Sequence, residues 1–339
     1  MKIISKTFKL LTVFLLVLGV TGCSDDDDNN GPGVQATTVV DIAAANGLTS
    51  LAAALQATDL VTTLQGAGPF TVFAPTNDAF DTLLNDTGLD LNNLTDAQED
   101  LVRNILLNHV IIGPEIMSSD LVNAGDGYAK TAAVGPNGEN LSLYFNTSNG
   151  AVINGQSNID LNNVDITATN GVVHIVDTVI ALPTIGTFAT SNPALSTLVA
   201  ALSYADDSGA GTVPYINTVL DDTAGPFTVF APVNAAFTDP TNGVLAELGL
   251  SGFGEGEGQL NGATTDAVLL LHLVSANVQS DQLASGTVTT LGGDITADAT
   301  NFTLTDSNDR VSNIVTSLVD IQGMNGVVHV IDKVILPGL

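Results

Sequence analysis

The octapeptide Gly-Pro-Phe-Thr-Val-Phe-Ala-Pro occurs twice in this chain of 339 residues, at positions 68–75 and 225–232. An identical run of eight residues does not recur by chance, so the repeat predicts two copies of one folding unit. Three further segment pairs recur in the same order: 51–55 with 198–202, 76–80 with 233–237, and 170–177 with 325–332. The distance between copies varies from pair to pair, which indicates that loops changed length while the core was kept.

Residue periodicity predicts a mixed α+β unit. Helical patterns cover 41–64 and 95–112 in the first copy and 187–205 and 264–274 in the second, and Asn77 and Asn234 can cap a further helix in each copy. Strand patterns cover 70–74, 141–145, 151–153, 164–168 and 172–180. The dipeptides Asn170-Gly171 and Asn325-Gly326 lie between apolar runs and predict hairpins. Strands and helices do not alternate strictly, which favours an antiparallel sheet.

The pairing of Thr-Val-Phe-Ala-Pro-x-Asn-x-Ala-Phe with a later Gly-Val-Val-His-x-x-Asp-x-Val-Ile resembles the fasciclin (FAS1) domain family, and both blocks occur twice. The resemblance covers 37–183 and 184–339. It implies two tandem FAS1 domains, each a seven-stranded antiparallel β-sandwich or wedge packed with several helices.

The first residues have the pattern of a bacterial lipoprotein signal peptide (1–22). Three lysines precede an apolar run at 10–20, which is too short to span a bilayer. The segment Val20-Thr21-Gly22-Cys23 resembles the lipobox, and this resemblance predicts lipidation of Cys23, the only cysteine of the sequence. The acidic and Gly-rich residues 23–36 predict a tether. Cys-Ser followed by an acidic run resembles the export signal of Bacteroidetes lipoproteins, which implies an outer membrane lipoprotein exposed at the cell surface.

The charge of the chain restricts its partners. The sequence has 36 acidic and 7 basic side chains, and removal of residues 1–22 would leave 4 basic side chains and a formal net charge of −32. Four scattered cations cannot form a phosphate-binding surface, so we expect no nucleic acid partner. A surface of this charge favours neutral glycans, cations or basic proteins.

All four histidines fall at equivalent places in the two copies, which raises the question of a metal or catalytic site. His174 and His329 are flanked on both sides by aliphatic residues, and His109 and His272 lie in segments rich in leucine and valine. We therefore expect hydrogen-bonded imidazoles in the core. On a strand, side chains three positions apart point to opposite faces, so the His-x-x-Asp pairs cannot chelate one ion. The predicted core histidines are His109, His174, His272 and His329.

The sequence carries no familiar motif for catalysis, and we predict no enzyme, no cofactor and no metal. GxSxG, GxxxxGK[ST] and HExxH are all missing from it. The acidic segments 294–298 and 306–309 offer oxygen ligands for calcium but lack EF-hand spacing, and turn formation explains them more simply.

The candidate partner-binding residues are Asp165, Ile166, Asp320 and Ile321. Each Asp-Ile pair precedes its repeated glycine by six positions. The family resemblance implies a role for Asp-Ile at this place, together with a Tyr-His segment, in integrin contact. This sequence does not match the Tyr-His segment of the family motif, because Asn108 precedes His109 and Leu271 precedes His272 where the motif has tyrosine. A purely structural interpretation, in which the isoleucine starts a strand and turns inward, stays open.

These features predict a lipid-anchored adhesion or extracellular-matrix interaction protein that binds an extracellular polysaccharide or protein through paired FAS1 domains. Two linked domains gain avidity from modest affinities. The alternative is a structural envelope protein without a specific ligand. A glycan-active or metal-dependent enzyme is a third and less favoured hypothesis.

Overall fold

A computed structural model describes residues 37–209, 211, 214–219 and 225–338. The predicted signal peptide (1–22), Cys23 and the tether (23–36) lie outside these residues. In the described part of the chain, no helix is long and apolar enough to cross a membrane.

The described residues form two α+β units in tandem, which confirms the predicted fold class. Both units contain helices at their beginning and in their middle. In the first unit the helices are α1 (Val39–Ala45), α2 (Thr49–Ala57), α3 (Val61–Gln65), α4 (Asn77–Thr87), α5 (Asp96–Leu107) and α6 (Ser118–Ala124). In the second they are α7 (Ile185–Ser191), α8 (Ser196–Asp207), α9 (Asn234–Thr238), α10 (Val244–Glu247) and α11 (Gly262–Leu270).

Two four-stranded sheets are described in each unit. The strands of the first unit are β1 (Phe70–Pro75), β2 (Val110–Ile112), β3 (Asp126–Val134), β4 (Asn140–Asn146), β5 (Val152–Ile153), β6 (Ser157–Asn158), β7 (Ile166–Ala168) and β8 (Gly171–Val176). They form sheets of order β2-β1-β8-β7 and β3-β4-β5-β6.

The second unit repeats this arrangement. Its strands are β9 (Phe227–Pro232), β10 (Leu273–Val274), β11 (Gly286–Thr290), β12 (Gly293–Asp298), β13 (Thr303–Thr305), β14 (Val311–Asn313), β15 (Ile321–Gly323) and β16 (Gly326–Ile331). Their sheets have the order β10-β9-β16-β15 and β11-β12-β13-β14.

The sheets differ from the predicted seven antiparallel strands in strand number and in the direction of one strand pair. The described part of each unit has eight short strands, and the central pair, β1 with β8 or β9 with β16, is parallel. The two central strands are far apart in sequence, and the connection between them runs through the rest of the unit, which permits a parallel pair. The other strand pairs are antiparallel, as expected.

Each unit has three layers, because its central sheet is covered on both faces. Val72 and Ala74 of β1 pack against the helices, whereas Phe73 points into the space between the two sheets. All six residues of β1 are therefore buried, and the strand appears in the sequence as a continuous apolar run.

The predicted hairpins are present and help to fix the central strands. Ala168 pairs with Gly171 across a two-residue turn, and Gly323 pairs with Gly326. A Cβ atom on Gly171 would lie 2.1 Å from the carbonyl oxygen of Phe70, so the approach of β1 to β8 requires glycine.

All four predicted helical segments are interrupted or end earlier than expected. The segment 187–205 is divided into α7 and α8 at Asn192, which has an extended backbone. The segment 41–64 is divided into α1, α2 and α3, with a left-handed residue at Gly47 and another at Asp59. In the segments 95–112 and 264–274 the helix ends two residues before the histidine, and a short strand begins directly after the histidine. The strand β3 was not predicted.

Asn77 and Asn234 do not cap the helices that they begin. The hydroxyl of Thr76 caps α4, and Val233 at the start of α9 makes no side-chain cap. Instead the Asn77 side chain accepts from the amide of Ser50 at 3.0 Å and donates to the carbonyl of Gly47 at 2.9 Å. Asn234 accepts from the amide of Thr197 at 2.8 Å in the same way. Each asparagine thus caps a neighbouring helix, α2 or α8, across the unit.

The two units contact each other through different faces. The first contributes the outer face of β3 and β4, which carries Tyr128, Lys130, Ser142 and Tyr144. Tyr144 is 1% exposed and belongs to the apolar core of the second unit. We call this surface the β3–β4 face.

The second unit meets the β3–β4 face with the start of β15 and with α7. The ammonium group of Lys130 donates to the carbonyl oxygen of Asp320 at 2.6 Å, and the side chain of Asn192 donates to the hydroxyl of Tyr128 at 3.0 Å. Phe188 packs edge-on against Tyr128, with 5.8 Å between the ring centroids.

Candidate functional site

Asp165 and Asp320 directly precede β7 and β15 and have a left-handed backbone conformation, with φ of 56° at both positions. Aspartate and asparagine adopt this conformation more readily than other residues with a Cβ atom. The backbone therefore gives one physical reason for an aspartate at the beginning of each Asp-Ile pair.

Both carboxylates are engaged inside their own unit. The oxygens of Asp165 accept from the backbone amide and the hydroxyl of Ser118, at 2.7 and 2.5 Å. Those of Asp320 accept from the same two groups of Ser280, both at 2.6 Å. Ser118 is the first residue of α6, so Asp165 caps that helix from a distant strand.

His174 and His329 connect the same two segments from the interior. The Nε2 atom of His174 lies 2.8 Å from the carbonyl oxygen of Ile116, and its Nδ1 atom accepts from the amide of Asp165 at 3.3 Å. His329 makes the equivalent bonds to Val278 and Asp320. This pattern requires a neutral imidazole protonated at Nε2. Burial lowers the pKa of both histidines, which agrees with the neutral form.

His109 and His272 lie in the core between a helix and a strand, each 2% exposed. The Nδ1 atom of His109 donates to the carbonyl of Ile105 at 2.7 Å, and its Nε2 atom accepts from the amide of Ile180 at 2.8 Å. His272 makes the same pair of bonds to Val268 and Ile335. Burial lowers the pKa of His109 and of His272 to about 4. All four predicted core histidines are thus buried, with both ring nitrogens bonded.

The Ser118, Asp165 and His174 side chains do not have the order of a catalytic triad. A triad needs the serine hydroxyl on the histidine and the aspartate on its other ring nitrogen. Here the hydroxyl of Ser118 donates to the aspartate, and the histidine is bonded to two backbone groups. The arrangement holds α6 against β7, and the histidine does not contact the serine hydroxyl.

The described residues contain no group of three or more histidine, cysteine, aspartate or glutamate side chains that could hold a metal ion. Asp306 lies in one of the oxygen-rich segments, and its carboxylate accepts from the amides of Asn308 and Arg310 at 2.9 and 3.1 Å and from that of Leu336 at 3.0 Å. It therefore holds its own turn and joins the turn to the segment that follows β16.

The isoleucines of the two Asp-Ile pairs differ in exposure. Ile166 is half-buried, whereas Ile321 is 2% exposed and lies in the core at the contact between the units. A partner cannot reach Ile321 in this arrangement. The burial of Ile321 agrees with the structural interpretation, in which the isoleucine starts a strand and turns inward. The sequence did not indicate that the first unit would cover it, although a signal was available: the tyrosines and the lysine of the β3–β4 face have no counterparts in the second copy.

The residues before the core histidines are also internal. Asn108, which stands where the family motif has tyrosine, is fully buried and donates to the carbonyl oxygen of Ala181 at 2.9 Å. Leu271 is 4% exposed. Neither side chain is available to a partner.

Comparison with protein families gives one match over most of the chain. The model of the Fasciclin domain matches residues 46–183 and 193–337. Curated relatives include Protein sll1483 of Synechocystis sp., 38% identical over 150 residues, which cover 44% of this chain and 76% of that protein. Human periostin is 29% identical over 282 residues, which cover 81% of this chain and 29% of periostin, so the chain spans less than a third of that relative.

Among solved structures, the chain is similar to a FAS1 domain pair from the insect cell adhesion molecule fasciclin I. The TM-score is 0.49 at 16% sequence identity, and the similarity covers 86% of this chain and 98% of the insect chain.

Proposed function

Because this chain belongs to the fasciclin domain family, we propose that it is a lipid-anchored adhesion or matrix-interaction protein that binds a protein or a polysaccharide outside the cell. The observation that carries this proposal is a contrast between two copies of one face. In the second domain the face is buried against protein, and in the first domain no described residue covers it.

We call the open copy the β7 face and define it by Ile42, Asn46, Ile166 and Thr167. Asn46 and Thr167 are exposed, and Ile42 and Ile166 are half-buried. The equivalent residues of the second domain, Phe188, Asn192, Ile321 and Gln322, are at most 6% exposed.

This contrast supports a protein partner more directly than a polysaccharide. The fold already uses this face once for close packing against a sheet that presents two tyrosines and a lysine. Buried aromatic side chains are typical anchors of protein interfaces. A basic surface on a partner would also suit the strong negative charge of the chain.

The test is binding of the whole mature chain to arrays of extracellular proteins and glycans, with arginine placed on the β7 face. We expect Thr167→Arg and Asn46→Arg to weaken binding at least tenfold. Thr296→Arg is the matched control, since it changes an exposed threonine on a sheet of the second domain. If the unmodified chain binds nothing on either array, or if the control weakens binding equally, the proposal fails.

The anchor is a separate part of the proposal and rests on the lipobox around Cys23. Cells grown with an alkyne-labelled fatty acid should label the unmodified protein and not the Cys23→Ala variant, which should leave the membrane fraction. Protease added to intact cells should digest the protein if it faces outward. Labelling of the Cys23→Ala variant would contradict the anchor.

A further inference from the structure

The second domain contains a cavity of about 220 Å³ between β9, β10, β11 and the segment that precedes β11. Its wall is largely apolar, with Phe230, Val274, Val278, Leu283 and Val288 as the main contributors. Gln282 and Thr287 are exposed and supply polar side chains to the lining.

The cavity follows from a difference in chain length between the copies. Ser118 corresponds to Ser280, and Gly127 corresponds to Gly286. Eight residues lie between the serine and the glycine in the first domain, but only five lie between them in the second. The missing three residues correspond to the last turn of α6, and the shortened segment forms turns instead of a helix. The first domain thus has a helix where the second has an opening.

Burial of the equivalent apolar residues shows the effect of this loss. Leu121 on α6 is 4% exposed and Ile111 is 8% exposed, and both belong to the core of the first domain. Their counterparts Leu283 and Val274 are only partly buried. The second domain therefore exposes apolar surface that the first domain covers with its own helix.

The chemistry of the lining limits what can enter. Among the residues that the structure describes, no lysine, arginine, aspartate or glutamate lines the cavity. The Thr228 hydroxyl donates to the carbonyl of Ala276 at 2.6 Å and accepts from the amide of Val278 at 2.9 Å. The two ring nitrogens of His329 are bonded to Val278 and Asp320. The interior therefore offers apolar contact, and Gln282 and Thr287 remain for polar contact.

We propose that this cavity is a binding pocket for a small uncharged molecule with an apolar body and one hydroxyl or carbonyl group. An apolar cavity of about 150 Å³ is large enough for benzene, so this one accommodates a ring with a short substituent, roughly seven to ten non-hydrogen atoms. An anion is excluded, because the lining has no cationic side chain and the chain is strongly acidic. The site is distinct from the β7 face and does not depend on the adhesion role.

The experiment uses two probes of the same size on the whole mature chain: benzyl alcohol and benzoate. Titration to 10 mM is followed by NMR of ¹³C-labelled valine and leucine methyl groups. We expect saturable shifts of Val278, Leu283 and Val288 with benzyl alcohol and a dissociation constant on the order of 1 mM, typical of a ligand with so few atoms. Benzoate should cause no saturable shift.

Two variants close the pocket in different ways. Val278→Phe fills it directly, and replacement of residues 280–285 by residues 118–126 of the first domain rebuilds the helix. Each should abolish the benzyl alcohol shifts. Val311→Phe is the matched control, because Val311 is 42% exposed on the same sheet and does not line the cavity.

The outcomes are distinguishable. Loss of binding in both closing variants and its retention in Val311→Phe would support the pocket. The proposal is overturned if benzyl alcohol gives no saturable shift, if benzoate binds equally well, or if binding persists in a folded closing variant. If Val278→Phe does not fold, the helix replacement alone decides, since it uses a sequence already compatible with this fold.

Discussion

The backbone amide of Gln322 donates to the hydroxyl of Ser142 at 2.9 Å, although the two residues are 180 positions apart. Both residues are buried, at 0% and 2% exposure. The bond joins β15 of the second domain to β4 of the first at the centre of their contact, and it gives the domain contact a specific polar element.

Ser142→Ala should weaken the contact between the domains. The substitution leaves the amide of Gln322 buried without a partner, which costs about 1–3 kcal/mol. Urea unfolding followed by tyrosine fluorescence should show a lower midpoint, because Tyr128 and Tyr144 lie at this contact. The control Ser148→Ala removes an exposed hydroxyl and should leave the midpoint unchanged. Equal midpoints for the two variants would argue against the contact in solution.

The buried histidines should make the protein less stable in mild acid. Burial lowers the pKa of His109 and His272 from 6.5 to about 4. Between these values the unfolded chain binds protons that the folded protein does not, so the free energy of unfolding decreases as the pH falls from 6.5 towards 4. The maximum slope is about 1.4 kcal/mol per pH unit for each histidine.

Urea unfolding at several pH values measures this slope, and NMR of the imidazole ¹³Cε1–¹H groups gives the pKa of each histidine directly. His109→Gln should reduce the slope. A folded-state pKa near 6.5 for His109 or His272 would contradict the hydrogen bonds described above.

Asp165→Ala should destabilise the first domain, because it removes both acceptors of the Ser118 backbone amide and hydroxyl. We expect a loss of about 1–2 kcal/mol, as for other helix caps. Asp100→Ala removes the same charge from an exposed position on α5 and serves as the control. If Asp165→Ala is as stable as Asp100→Ala, the capping role is wrong. Loss of partner binding in Asp165→Ala would by itself not identify a contact residue, which is why the binding test uses Thr167 and Asn46.

Asn77→Ala should lower stability by about 1 kcal/mol, since α2 loses the acceptor at its start and the carbonyl of Gly47 loses a donor. Asn85→Ala is a suitable comparison, because Asn85 is exposed on the same helix, α4. Thermal unfolding should give a lower midpoint for the first variant only. Asn77→Asp should keep part of the stability, as it retains the acceptor for Ser50.

Local sequence predicted the features that depend on neighbouring residues. The octapeptide strands and the Asn-Gly hairpins were confirmed, because their patterns are short and strong. The helix expected over 41–64 was too long, since Gly47 and Asp59 interrupt it with left-handed conformations. The strand β3 was missed, because Lys130 and four alanine or glycine residues obscure its alternation.

The candidate site depended on contacts that no local pattern contains. Asp165 and Ser118 are 47 positions apart, and Lys130 and Asp320 are 190 apart. The repeat pointed correctly to equivalent positions in both copies. It did not indicate that one copy would be covered by the other, because that depends on which faces of two folded domains meet.

The contact between the domains is head-to-tail, since a β3–β4 face of one domain meets the β15 side of the other. Such a contact does not close on itself and can in principle continue from domain to domain. In the second domain, however, Thr287, Thr289 and Thr296 occupy the positions of Tyr128, Lys130 and Tyr144. These short side chains lack the aromatic rings and the ammonium group that hold the present contact. The second domain therefore cannot hold another domain in the way that the first domain holds it. The contact has one direction, and the β7 face of the first domain is the surface of this pair that matches the covered side of the second.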